Sequence, residues 1–482
     1  MEVAMSYRTI AIFCGVWFLV VSCSTPEETT ADEMAVTDTE VADHDAADEG
    51  IQDESDMSGE KDEMAEGEEA PDLLDESVDI EGSDESSDTV VDEDIVQPDD
   101  VIPVGELIIE QIYLPGMNMG EAALIVGPDG TTVLIDAAND GHGPQILEAV
   151  TRRKGEAAID WAIITHYHND HIGGFDNLFG AGANQHLVVR KGIILRGFYD
   201  IGADMPGVED FNEFCTLAQG ELVAQVVTLC AGAAEMPCGD ASSRYPTSGC
   251  PGLLLGDLDT SDDDTAGALS FIPLGSGAKL YFTHASGWVA QSGGAISAEA
   301  NGITIGYGET DQENARSLGG VIKWGDFNYL FAGDTQGRDI KVEGFIASHG
   351  AGLTITPGGA ELLPSGAADV IHLSHHGLAS STAQEWVDWL FPVSGQNRNA
   401  VVGTTGIYVT SPAQPVIDRI VPRLGTGFLF ATANAYTHGT SPQLIIANAA
   451  VTIEVSQGGS QYVMVTGVGA GAITSGVYPT VP

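Results

Sequence analysis

Residues 159–174 decide the fold: Ile159-Asp160-Trp161-Ala162-Ile163-Ile164-Thr165-His166-Tyr167-His168-Asn169-Asp170-His171-Ile172-Gly173-Gly174. The first half is a short apolar run and reads as a buried strand. The second half places three histidines and a carboxylate within six residues, just where that strand ends. Imidazoles and carboxylates at this density are metal chemistry, and a chance His-rich loop is the bland alternative. On a turn, alternation points His166 and His168 at one centre, leaving Asp170 and His171 to turn toward a second close by. Neutral imidazole with carboxylate suits zinc, and iron or manganese with less selectivity.

Outward from this stretch the chain reads as short β-type runs broken by glycine turns. Glu121–Val126 and Thr131–Asp136 flank Gly127-Pro128-Asp129-Gly130 as a hairpin, and Pro144–Arg153 reads as a helix. Leu318–Trp324 and Phe327–Ala332 form a second hairpin, and Asp369–Ser374 is a strand. Ser381–Leu390 is an amphipathic helix whose start offers a capping box, Thr382 with Glu385. Ala400–Thr404, a helix near Pro412–Leu424, Gly427–Ala431 and two closing strands, Ala450–Val455 and Gln461–Thr466, continue the alternation. Hairpins mixed with single helices predict two sheets covered by helices on their outer faces.

The chain has 482 residues, 71 acidic against 17 basic, for a net charge of −54. Residues 24–102 hold 32 of those acids and only Lys61, so they cannot bury enough apolar surface to fold and read as an acidic linker. Before them, Thr9–Ser22 is an apolar run of 14, too short to span a bilayer and fitting a signal peptide. Val20-Val21-Ser22-Cys23 resembles the lipobox of bacterial lipoproteins, which implies export and a lipid anchor at Cys23, with Ser24 favouring the outer membrane. The expected organisation is therefore a leader over 1–22, a linker over 23–102 and a folded domain over 103–482. An insertion at about 200–265 carries Cys215, Cys230, Cys238 and Cys250. This even set in an exported chain, without a C-x-x-C pair, reads as two disulfides of open connectivity. The folded part is itself acidic. Only Arg152-Arg153-Lys154 and Arg190-Lys191 cluster positive charge, so nucleic acid is not the favoured partner.

With these residues in view, the sequence resembles the metallo-β-lactamase superfamily. Asp136 closes an early strand, His166, His168, Asp170 and His171 match H-x-H-x-D-H, Asp334 follows a strand, and His375-His376-Gly377 follows another. Asn314-Ala315-Arg316-Ser317, Gly333-Asp334 and the H-H-G form look like the ComEC-type nuclease-like domain, a pattern that surface phosphorylcholine esterases share. The resemblance implies an α/β fold, an αββα four-layer sandwich, with two divalent metal ions at one edge. The ligand set it implies is His166, His168, Asp170, His171, Asp334 and His375. Asp136 orients a ligand, and Asp334 bridges the two ions. A third-motif histidine is expected between His171 and Asp334; His284 is taken as that ligand over His186, with Asn314 near the metals as the alternative.

The activity such a set implies is hydrolysis, with two ions lowering the pKa of a shared water. Asp170 orients the nucleophile, and His376, or else Tyr167, protonates the leaving group. A phosphodiester, small or surface-bound, is the favoured substrate. A lactone or β-lactam hydrolase is the second enzyme reading. A surface binding protein that keeps the metals structurally is the third.

Overall fold

A computed structural model describes residues 105–116, 120–179, 187–196, 225–229, 252–254, 256–259, 268–291, 294–305, 310–355, 359–364, 368–393, 396–403, 410–433, 437–456, 458–468 and 471–480. All of them fall in one unit, Val91–Pro482. The leader, the linker, Cys23 and the four insertion cysteines lie outside the described residues.

Two sheets form the centre. The first begins with β1 (Leu107–Gln111), β2 (Ala123–Val126), β3 (Thr132–Ile135), β4 (Ala158–Ile164), β5 (Val188–Arg196) and β6 (Val226–Leu229). The second holds β7 (Phe271–Gly275), β8 (Ala278–Ala285), β9 (Trp288–Gln291), β10 (Gly294–Ser297), β11 (Gly319–Trp324), β12 (Phe327–Phe331), β13 (Val370–His372), β14 (Asn399–Val402), β15 (Leu429–Ala431) and β16 (Leu444–Ile446). The chain then returns to the first sheet with β17 (Val451–Val455), β18 (Gln461–Thr466) and β19 (Ile473–Pro479). The orders are β19-β18-β17-β1-β2-β3-β4-β5-β6 and β10-β9-β8-β11-β12-β13-β14-β15-β16, with β7 beside β8. Both expected hairpins, β2–β3 and β11–β12, are antiparallel in register.

Strand alternation builds the layers, because successive side chains leave opposite faces. Leu107, Ile109, Ile125, Val133, Trp161 and Ile163 join the core shared with the second sheet. Their neighbours Ile108, Leu124, Leu134, Ala162 and Ile164 join a separate core with α1 (Gly143–Lys154) and α3 (Gly174–Phe179); α2 (Asn169–Ile172) lies between those helices in sequence. Beyond the short α4 (Thr310–Asn314), residues of α5 (Val342–Ser348), α6 (Gln384–Leu390) and α7 (Gln414–Ile420) pack with the second sheet's strands. Helix, sheet, sheet, helix is the expected sequence of layers.

Within 200–265, β6 pairs in parallel with β5 as the first sheet's last strand, and Leu253 is buried in the shared core. One expectation needs correction: the capping box fails. Thr382 sits at φ 52°, α6 begins only at Gln384, and its N-cap is Ala383 with no side-chain cap. The N–H groups of Thr382 and Ala383 instead donate to the buried carboxylate of Glu343, at 2.8 and 2.6 Å. A carboxylate from another helix thus takes the role of the missing local cap.

Candidate metal centre

β3 and β4 run parallel, as do β12, β13 and β14, so the segments that leave β3, β4, β12 and β13 carry Asp136, the histidine motif, Asp334 and the His375-His376 pair. Leaving β4, Thr165 donates both its N–H and its hydroxyl to Asp136, at 2.8 and 2.7 Å. Asp136 Oδ2 also lies 2.8 Å from Nδ1 of His171, which fixes that ring and leaves its Nε2 facing inward. His168 caps the single turn of α2, which carries Asp170 and His171.

Leaving β12, the chain turns through Gly333 at φ 51°. A Cβ there would come within 2.8 Å of Thr165, so only glycine lets the two ligand-bearing turns approach. Asp334 N–H donates to Ser317 Oγ at 3.1 Å, which gives the last residue of the Asn314–Ser317 stretch its use. The Asp334 carboxylate then lies between two ligand groups. Asp170, His171, Asp334 and His376 form one, and His166, His168 and Asp334 the other, each with its ligand atoms within 4.8 Å of one another.

These atoms fit divalent ions better than they fit each other. His168 Nε2, His171 Nε2 and Asp334 Oδ1 are buried and make no hydrogen bond. His171 Nε2 and Asp334 Oδ1 face one another at 3.1 Å outside hydrogen-bond geometry, as ligands converging on a shared point do. The electrostatics agree. Burial opposes charge on His171, yet Asp334, Asp136 and Asp170 together raise its pKa well above the ordinary value. Burial likewise opposes charge on His376, and Asp334 and Glu121 again outweigh it. Burial alone would raise Asp170 and Asp334, but the surrounding histidines hold both below the usual carboxylate range. In metal-free protein the cluster is a knot of protons and charges that bound cations would replace.

The histidine pair resolves differently from expectation. His376, not His375, sits in the ligand group: its Nε2 is 3.0 Å from Asp170 and 3.6 Å from Asp334, with the side chain 1% exposed. That enclosure removes it as a leaving-group acid. His375 stands at the rim, 13% exposed, with Nε2 3.8 Å from Asp334. Both residues are left-handed, at φ 49° and 50°, a costly conformation for a bulky ring-bearing residue and one found at functional sites.

Glu121 was not singled out by sequence reasoning. It is buried, and Oε1 lies 3.0 Å from Nδ1 of His376, a charge contact outside hydrogen-bond geometry, unlike the hydrogen bond between Asp136 and His171. No pattern marks it, since a carboxylate entering an apolar strand looks like an exposed edge residue. His284 fails as a ligand: it is in neither group, its Nδ1 meets Thr283 Oγ1 at 2.9 Å, and its ring packs edge-on to Trp386. Burial pushes its pKa down to about 3, which fits a neutral core histidine. Tyr167 fails as an acid because its buried hydroxyl donates to the carbonyl of Arg196. His142, His349 and His438 also stand outside both groups, and His186 lies outside the described residues.

Comparison with known proteins agrees with the motif. Residues 117–196 match the family model of the metallo-beta-lactamase superfamily. This segment holds Glu121, Asp136, His166, His168, Asp170 and His171, and it is similar to that superfamily; Asp334 and His376 come from farther along the chain. No curated protein matches the chain. Among solved structures, one similar chain is a protein of unknown function from Enterococcus faecalis V583, 9% identical, covering 71% of this chain and 72% of that one, with a TM-score of 0.24.

Proposed function

We propose that this protein is a metal-dependent hydrolase of phosphodiesters, carried by two ligand groups that share Asp334. Two divalent ions, zinc by ligand chemistry, would supply an activated water and a Lewis acid for the phosphoryl oxygens. Asp334 spans the two groups, Asp136 holds the ring of His171 by a hydrogen bond, and the Glu121 carboxylate lies 3.0 Å from Nδ1 of His376. Asp170, 18% exposed beside His376, is the ligand placed to orient a nucleophile. Two dications would offset the carboxylates of Asp170, Asp334, Asp136 and Glu121, so an anion would be drawn by the ions' open positions rather than by the chain's own charge.

The phosphodiester preference rests on the ComEC-like forms at Asn314–Ser317, Gly333-Asp334 and His375–Gly377. Ion pairing favours a small or surface-bound substrate over nucleic acid. Arg152 and Arg153 bind Glu110 at 2.5 and 2.6 Å, Arg190 binds Glu156 at 2.6 Å, and Lys191 binds Asp259 at 2.7 Å, which occupies both basic clusters. The lipobox-like Val20-Val21-Ser22-Cys23 and the acidic stretch after it support the reading of an exported lipoprotein anchored at Cys23.

The test is hydrolysis of bis-(p-nitrophenyl) phosphate with added zinc or manganese, by wild type and Asp334→Asn. Metal-dependent turnover lost in the variant is expected. A folded, metal-loaded wild type that hydrolyses a lactone and not the phosphodiester would overturn the substrate assignment.

A further inference from the structure

Arg196, which ends β5, and Glu313 of α4 lie beside the metal centre without belonging to either ligand group. The Arg196 guanidinium donates to both carboxylate oxygens of Glu313, and both side chains are 0% exposed. It also lies 4.4 Å over the ring of Tyr167, whose hydroxyl donates to the Arg196 carbonyl. A buried ion pair loses much hydration and is a weak source of stability, since a packed apolar pair often serves as well. What this one offers is a fixed acceptor. Glu313 Oε1 receives the Tyr167 N–H at 3.0 Å, between His166 and His168 in the chain. Before His166, the Thr165 carbonyl receives the Leu318 N–H at 2.8 Å. Ser317 Oγ receives the Asp334 N–H. The segment 313–318 therefore grips the backbone on both sides of His166 and at Asp334, two of the three ligands in the group that His168 completes. The remaining ligands of the other group have other supports. Asp136 bonds His171, the Asp170 carbonyl accepts the Glu121 N–H, and the Ser411 hydroxyl donates to the His376 carbonyl.

We propose that Glu313 is a positioning residue for the ion held by His166, His168 and Asp334, with Arg196 fixing its carboxylate. It acts through the Tyr167 peptide, which sets how the two flanking histidines converge. The inference deepens the proposed function and rests on its two ions, while taking nothing from the substrate's identity.

Glu313→Ala alone strands a buried arginine charge, so paired substitutions carry the test. Glu313→Leu with Arg196→Met removes the acceptor and leaves no buried charge. Glu313→Gln with Arg196→Met keeps an amide oxygen for the Tyr167 N–H. In calorimetric zinc titration, wild type should bind two ions. The first pair should leave one ion unchanged and weaken the other roughly tenfold or more, and the second pair should recover most of that loss. Added to His168→Ala, the first pair should not affect the ion that remains; added to His376→Ala, it should weaken it by the same factor. If the first pair does not fold, Glu313→Asp keeps the charge, shortens the reach to Tyr167 and should divide the two ions in the same way. Equal weakening of both ions, no recovery in the second pair, or a wild type that binds fewer than two ions overturns the assignment. The expected pattern in a protein that hydrolyses no phosphodiester leaves the positioning role standing and defeats the hydrolase reading alone.

Discussion

Glu121 and Asp136 each stand beside the Nδ1 side of one histidine of the ligand cluster, Asp136 by a hydrogen bond to His171 and Glu121 by a close charge contact with His376. Removing such a partner typically costs about 10–100-fold in metal affinity. Glu121→Gln should therefore weaken zinc binding by about that factor, by chelator competition, while far-ultraviolet circular dichroism stays unchanged. The same cluster makes binding depend on pH. His171 and His376 are raised above the ordinary histidine value, so they hold protons at neutrality that bound cations must displace. Zinc affinity should rise with pH through and above neutrality, with proton release visible as a dependence of the calorimetric enthalpy on buffer ionisation. An affinity flat in pH would show that these histidines are not ligands.

Among the elements, the segment from β13 to α6 carries the most conformational cost, with His375, His376 and Thr382 all left-handed. Glu343 of α5 fastens its far end through the Thr382 and Ala383 N–H groups. Glu343→Ala leaves a buried and a half-buried donor unmade and should cost about 2 kcal/mol in urea denaturation. Burial pushes the Glu343 pKa up to about 7 against an ordinary 4.5, so the folded state binds this proton more tightly than the unfolded one. The associated stability is fully present below the unfolded value and is lost as pH rises through about 7. Glu343→Gln should flatten that pH dependence of the melting temperature, and an unchanged slope would assign it elsewhere.

At the scale of the molecule, the ligands arrive from turns far apart in the chain, Asp170 and His171 on one side of the sandwich and Asp334 and His376 on the other. Their common ion can exist only when both sheets are packed, so binding free energy is folding free energy. Zinc at a thousand times its dissociation constant should add about 4 kcal/mol. The melting temperature should rise accordingly with zinc and fall with chelator, and should respond far less in Asp334→Asn.

Legibility differed from one feature to the next. Contiguous chemistry could be read directly: H-x-H-x-D-H after an apolar strand announced a metal centre, and hairpins mixed with single helices announced two sheets, because ligand spacing and turn signals are local properties. Asp136 was readable because a motif accompanied it. Glu121 was not, since its partner His376 reaches it only through the packed sheets. Likewise His375 and His376 are adjacent and chemically identical in sequence, and only the left-handed turn that ends β13 decides which one enters the cluster. His284 shows the converse. It ends a strand as a ligand would, but the packing of Trp386 makes it a core residue. The sequence by itself determined which atoms were available to bind metal; the tertiary structure decided which of them converge, because convergence depends on distances between strands that no local pattern encodes.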